Sequence, residues 1–255
     1  MLYIRLLEEV AAMRQHAPRV SPENDVELHE LRRASRRLRE HLGSVRPLLD
    51  EEGADSLRLE LRDLGRSLGP ARDADVFVAH LRNALVEMDE TSAEAAALLR
   101  RAEAERLEAY RKARAAVDDP SFGRLLEKLA DFIAGLRVDH AGFAEVVSVA
   151  ATRLRKAMDE ASSDEALHQA RIKAKRLRFA ADAAGDRPAS AGVKRLQDIL
   201  GEHQDAVVAE ERLHELVQPE TASLVGRLVE RQAERRGRAR RQAALAWKTL
   251  ADTTA

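Results

Sequence analysis

The chain has 255 residues, of which 45% are apolar and 34% charged, and it contains no cysteine. A disulfide framework, a thiolate nucleophile and a Cys-ligated metal are therefore excluded. Its apolar runs fall far short of the roughly 20 residues that cross a bilayer, so no membrane span is expected. With only 12 Gly and 7 Pro, a composition rich in Ala, Leu, Arg and Glu favours helices over a turn-rich β fold.

Helical periodicity runs almost end to end, and short breaks divide it. Helices are predicted near 2–16, 22–50, 54–68, 70–88, 92–117 and 121–136, then near 142–160, 164–184, 189–200, 202–217 and 221–250. Ser21-Pro22 and Asp119-Pro120 each read as a capping side chain before a proline at the first helical position. Thr91 with Glu94 has the form of a capping box. No stretch alternates with a strand period long enough to argue a sheet. The N-terminal Met1-Leu2-Tyr3-Ile4-Arg5 meets Glu8 and Glu9 too early for a signal peptide, which leads to a cytoplasmic expectation.

Net charge is -1, yet charge is segregated along the chain. Residues 29–46 hold six Arg against two Glu, residues 168–178 hold five Lys or Arg and no acid, and the remainder is acidic. Segregation of this kind focuses a field on a partner of opposite sign.

The two basic stretches repeat each other. His29-Glu30-Leu31-Arg32-Arg33-Ala34-Ser35-Arg36-Arg37-Leu38-Arg39 recurs 139 residues later as His168-Gln169-Ala170-Arg171-Ile172-Lys173-Ala174-Lys175-Arg176-Leu177-Arg178. A second match follows at offset 132, where Leu64, Leu68-Gly69, Asp73-Ala74 and Leu81 correspond to Leu196, Leu200-Gly201, Asp205-Ala206 and Leu213. Two related halves are expected, 1–118 and 119–250, within a single domain over 1–250.

With each helical step turning about 100°, Arg32, Arg33, Arg36, Arg37 and Arg39 fall within roughly 80° of His29. Leu31, Leu38, Leu42 and Val45 lie opposite. In the second copy His168, Arg171, Lys175, Arg176 and Arg178 form the ridge, with Ala170, Leu177 and Ala181 behind. Like charges a turn apart repel, and Glu30 and Glu40 are too few to neutralise the first ridge. A cation row that recurs without compensation argues for an anionic ligand. Arginine forks suit phosphate oxygens, and histidine adds charge as pH falls.

These motifs resemble the CHAD (conserved histidine α-helical) domain family. His29–Arg39 with Leu68-Gly69-Pro70-Ala71-Arg72-Asp73-Ala74-Asp75-Val76 is similar to its first half. His168–Phe179 with Leu196-Gln197-Asp198-Ile199-Leu200-Gly201-Glu202-His203-Gln204-Asp205 is similar to its second. The resemblance covers nearly the whole chain. It implies an all-α fold of two four-helix bundles with long helices, related by a pseudo-twofold repeat, that binds inorganic polyphosphate without catalysis.

By that resemblance His29, Arg32, Arg36 and Arg39, and His168, Arg171, Lys175 and Arg178, contact the polyanion. Arg33, Arg37 and Arg176 lie beside them, and Arg72, Arg153 and Lys194 are secondary candidates. Ala170 stands where the family has a core Leu, and Phe179 replaces a common Tyr. No catalytic residue, metal site or cofactor is expected: a Gly-rich phosphate loop is missing, and Asp198, His203 and Asp205 form only a loose cluster. The Glu-x-Glu-x-Lys strand motif of the triphosphate-tunnel domains that accompany CHAD modules is absent too.

Scarce aromatics disfavour single-strand nucleic acid, which stacks its bases. Sequence-independent binding to nucleic-acid backbones is the alternative. A structural role at polyphosphate or other storage granules would use the same surface. The segment 235–241, with five arginines, is read as a solvated helix end.

Overall fold

A computed structural model of the chain describes residues 2–137 and 142–254. Among these residues the fold is all-α. Its helices are α1 (Leu2–His16), α2 (Asp25–Ser44), α3 (Glu51–Glu87), α4 (Ala93–Asp118), α5 (Pro120–Ala134), α6 (Phe143–Asp159), α7 (Asp164–Ala184), α8 (Arg187–Leu216) and α9 (Ala222–Thr254).

Several helix ends follow from local chemistry. Asp119 caps α5 by accepting from the Ser121 N–H, with Pro120 next in the chain. Ser163 caps α7 through the Ala166 N–H, and Gly185 closes it at φ 83°, a left-handed conformation that favours glycine. Asp186 caps α8 through the Ala189 N–H.

Other expectations need correction. The α2 helix starts at Asp25 because Ser21-Pro22 sits in a turn, in which the Asn24 N–H bonds the Ser21 carbonyl at 3.2 Å. It stops at Ser44, where Pro47 disfavours helical backbone at the residue before it and a 3₁₀ turn, Arg46–Leu48, takes over. At α4 the cap is Ser92, whose Oγ accepts from the Ala95 N–H at 3.1 Å, in place of Thr91. The breaks expected at Gly69-Pro70 and Gly201 are not breaks, since α3 and α8 run through them. Leu68, Ala71, Leu200 and Ala206 are buried around these points, and that burial outweighs the local cost of Pro and Gly.

Packing divides the chain into two compact units. One comprises residues up to Ala79 with Arg100–Phe143, and the other His80–Leu99 with Ala144 onward. They differ from the sequence halves because α3 and α4 each contribute to both. In the first unit Leu6, Met13, Leu28, Leu31, Leu38, Leu42, Leu129 and Ile133 are fully buried. In the second, Leu154, Ala170, Ala174, Leu177, Val193, Leu196, Leu200 and Ala243 form one core. The apolar stripes of α2 and α7 thus face inward, which turns their basic stripes outward.

Candidate polyanion-binding rows

On α2 the six sequence-predicted residues are arranged around His29. Its imidazole is 43% exposed, and its Nε2 lies 3.8 Å from Glu30 Oε1. Burial, then Arg72, Arg33 and Arg36, hold His29 below its ordinary value of 6.5, with Glu30 opposing. Arg36 is exposed, while Arg33, Arg37 and Arg39 are half-buried.

The α2 row is not uncompensated, which corrects the charge count. Arg33 pairs with Glu30 at 2.9 Å, Arg37 with Glu9 at 3.1 Å and Arg39 with Glu40 at 3.1 Å. Arg32 donates to Asp73 Oδ1 at 2.8 Å and to the Gly69 carbonyl at 3.0 Å. Glu9 comes from α1 and Asp73 from α3, so counting acids on α2 alone missed them. Arg72 stands 3.9 Å from Asp25 and 4.0 Å from Asp75, and it is 25% exposed.

On α7, His168 Nδ1 is 2.7 Å from Gln204 Oε1 on α8. Arg171 lies against Gly201, where an added Cβ would meet its Nε at 3.8 Å. The Arg171 Nε is buried and has no hydrogen-bond partner. Its charge acts on Asp205, whose carboxyl burial pushes above the usual range while Arg171 pulls it down. Lys175 is half-buried and Arg176 exposed. The Arg178 guanidinium lies 4.7 Å from the centre of the Phe179 ring, so the Tyr-to-Phe departure keeps a cation–π contact. Lys194 pairs with Asp198 at 2.9 Å, and Arg153 is exposed.

One arrangement occurs in both units. An arginine of the His helix (Arg32 or Arg171) lies against a glycine (Gly69 or Gly201) and acts on an aspartate (Asp73 or Asp205). It joins α2 to α3 and α7 to α8. The two arginines are therefore partly structural, while Arg36 and Arg176 are the exposed cations of the two rows. Sequence reasoning matched Gly69, Asp73, Gly201 and Asp205 between halves but assigned them no role. It also gave none to Gln204, although that residue follows the matched Gly201 by three positions.

Within 235–241, Arg238 and Arg241 are exposed, as expected of a solvated segment, but Arg235, Arg236 and Arg240 are held by acids of other helices. Arg227 pairs with Glu90, Arg231 with Glu87 and Arg235 with Glu202. Arg236 reaches Asp164 at 3.3 Å and Glu210 at 3.1 Å, and Arg240 reaches Asp164 at 2.6 Å. These contacts tie α9 to the end of α3, to the α3–α4 turn, to α7 and to α8. Among the described residues no group of three or more His, Asp or Glu could hold a metal ion, and no helix is long and apolar enough to cross a membrane.

Two uncharacterized proteins of Mycobacterium tuberculosis, one from strain CDC 1551 and one from strain H37Rv, are each 32% identical over 210 residues. That alignment covers 73% of this chain and 39% of each relative, so the chain spans about two fifths of their length. Among solved structures, PptA from Streptomyces chartreusis has a similar fold, with TM-score 0.82, 23% identity, and 97% and 96% of the two chains covered. The CHAD domain from the plant Ricinus communis superposes with TM-score 0.67 at 23% identity, covering 96% of this chain and 86% of that one. The family model for the CHAD domain matches residues 5–214, a span that takes in both basic rows and their glycine–aspartate partners. The chain belongs to the CHAD domain family.

Proposed function

We propose that the protein binds inorganic polyphosphate without acting on it chemically. The observation that carries this reading is the pair of basic rows, each opened by a half-buried histidine and each holding an arginine that lies against a glycine and acts on an aspartate. Membership of the CHAD family supports the choice of ligand.

The ligand oxygens replace carboxylates now held by the rows. Arg33 pairs with Glu30 on its own helix, the two side chains 40% and 30% exposed, and ion pairs this open to solvent are worth about 1 kcal/mol or less. A phosphate chain offers several oxygens per guanidinium and displaces them readily. Polyphosphate carries no bases, and the rows offer no stacking platform apart from buried Phe179. The same reading puts the protein in the cytoplasm, free or at polyphosphate or other storage granules.

Calorimetric titration of orthophosphate, short and long polyphosphate is the test. Two anchors on one chain raise the effective concentration of the second, so long chains bind more tightly. Arg36→Ala and Lys175→Ala each lower long-chain affinity by about three- to tenfold, as expected for one lost phosphate contact. Equal affinity for all lengths, or no loss in either variant, overturns the proposal. RNA competing equally at physiological salt favours the nucleic-acid backbone instead. Phosphate release on adding divalent metal would make the protein an enzyme.

A further inference from the structure

A cleft lies within the second unit. It has a volume of about 630 Å³ and is bordered by the end of α3, by α8 and by α9. That volume is in the range of small-molecule sites, roughly 300–1,000 Å³. Most of its wall comes from α9, beyond the residues 5–214 that the family model matches.

Two features of this cleft bear on chemistry. Arg231, Arg235 and Arg238 line one face of α9 at helical spacing. Each is held by an exposed carboxylate: Glu87, Glu202 and Glu234 are 60%, 58% and 73% exposed. Pairs this exposed stabilise little, so an incoming anion exchanges with them readily. The second feature is Gln232, 7% exposed, which lines the cleft to one side of the arginine face. Its Oε1 is buried and accepts no hydrogen bond. A buried acceptor left unmade is costly, and it calls for a donor.

A bare phosphate chain at neutral pH brings acceptors, and it satisfies the arginines alone. A ligand that satisfies both features carries phosphates at one end and an N–H edge at the other. We infer that this cleft binds a nucleoside phosphate, with Arg231, Arg235 and Arg238 on the phosphates and Gln232 Oε1 accepting from the base. Exchange of the glutamates for phosphate oxygens moves the guanidinia and opens Oε1 to the base. Carboxamides suit base edges because they pair donor with acceptor, and Asn83 and Gln242 at the rim add two more. None of its lining residues belongs to the polyphosphate rows.

The test is calorimetric titration of the whole chain with ATP, GTP and tripolyphosphate in magnesium-free buffer. At least one nucleotide is expected to bind about tenfold or more tighter than tripolyphosphate, because only the nucleotide meets the orphaned acceptor. Gln232→Met, similar in volume, removes that margin and leaves tripolyphosphate affinity unchanged. Arg238→Ala, at an exposed side chain, weakens all three ligands several-fold and serves if Gln232→Met does not fold. Lys175→Ala leaves nucleotide affinity within about twofold, while Gln232→Met leaves long-chain polyphosphate binding intact, so failure at one surface is distinct from failure at the other. Tripolyphosphate binding as tightly as both nucleotides, or a margin that survives Gln232→Met, overturns the inference.

Discussion

His29 and His168 occupy matched places in the two motifs but meet different neighbours. Gln204 Oε1 lies 2.7 Å from His168 Nδ1, whereas the residue matching Gln204 in the first half is Arg72, whose charge acts on His29. Burial and the Arg72, Arg33 and Arg36 charges hold the His29 imidazole below 6.5, with only Glu30 opposing. His29 is therefore largely neutral at pH 7 with no ligand bound. An anion set among these cations raises its proton affinity, so binding takes up a proton. Polyphosphate affinity is expected to rise several-fold as pH falls from about 7.5 to 5.5, and His29→Ala reduces that rise. Titrations at the two pH values check this. The fold responds in the opposite sense: a histidine lowered on folding takes its proton sooner when unfolded, so His29 costs stability as pH falls below 6.5.

At the scale of the element, α3 and α8 show how far local punctuation can mislead. Gly69-Pro70 and Gly201 carry the residues that usually end helices, and reading them so divided each of these helices in two. Burial on both sides keeps each helix whole, and the glycines have another use, as the surface on which Arg32 and Arg171 lie. Neither contact is tight enough to require glycine. A Cβ at Gly201 meets its nearest atom, Arg171 Nε, at 3.8 Å, an ordinary van der Waals distance. Gly201→Ala should therefore be accommodated and stabilise the protein by up to about 1 kcal/mol through helix propensity. Urea denaturation measures it, and a destabilised variant would mean that the arginine needs closer approach. The capping residues of α5 and α4 make the same point at smaller size. Asp119-Pro120 was legible because its geometry is local, while at α4 a shift of one residue moved the cap from Thr91 to Ser92.

Taken as a whole molecule, the chain is nearly neutral, and acids from other helices hold part of the α2 row. Glu9 reaches Arg37 across 28 residues of sequence, and Asp73 reaches Arg32 across 41. A polyanion must displace some of these carboxylates and shed its own counterions. Affinity for long polyphosphate should thus fall steeply with salt, by analogy with nucleic acids, where the logarithm of affinity drops by roughly 0.7–0.9 per phosphate neutralised for each tenfold rise. A slope near zero over about 50–200 mM salt would show that the rows do not act as a polyelectrolyte surface.

What the sequence determined by itself was whatever depends on near neighbours. The all-α class, the buried stripes under Leu31 and Leu177 and the two rows follow from helical periodicity and spacing, which are properties of ten or twenty consecutive residues, and the family was legible in the resemblance of four short motifs. Tertiary structure alone decided which cations are held and by what, and that α9 is an arginine-clamped wall with a cleft beside it. It also decided that α3 and α4 each serve both compact units. The physical reason is common to all of these. Periodicity places a side chain on a face of its own helix, but ion pairs, orphaned acceptors and buried interiors are set by residues remote in the chain, and only packing brings those within reach.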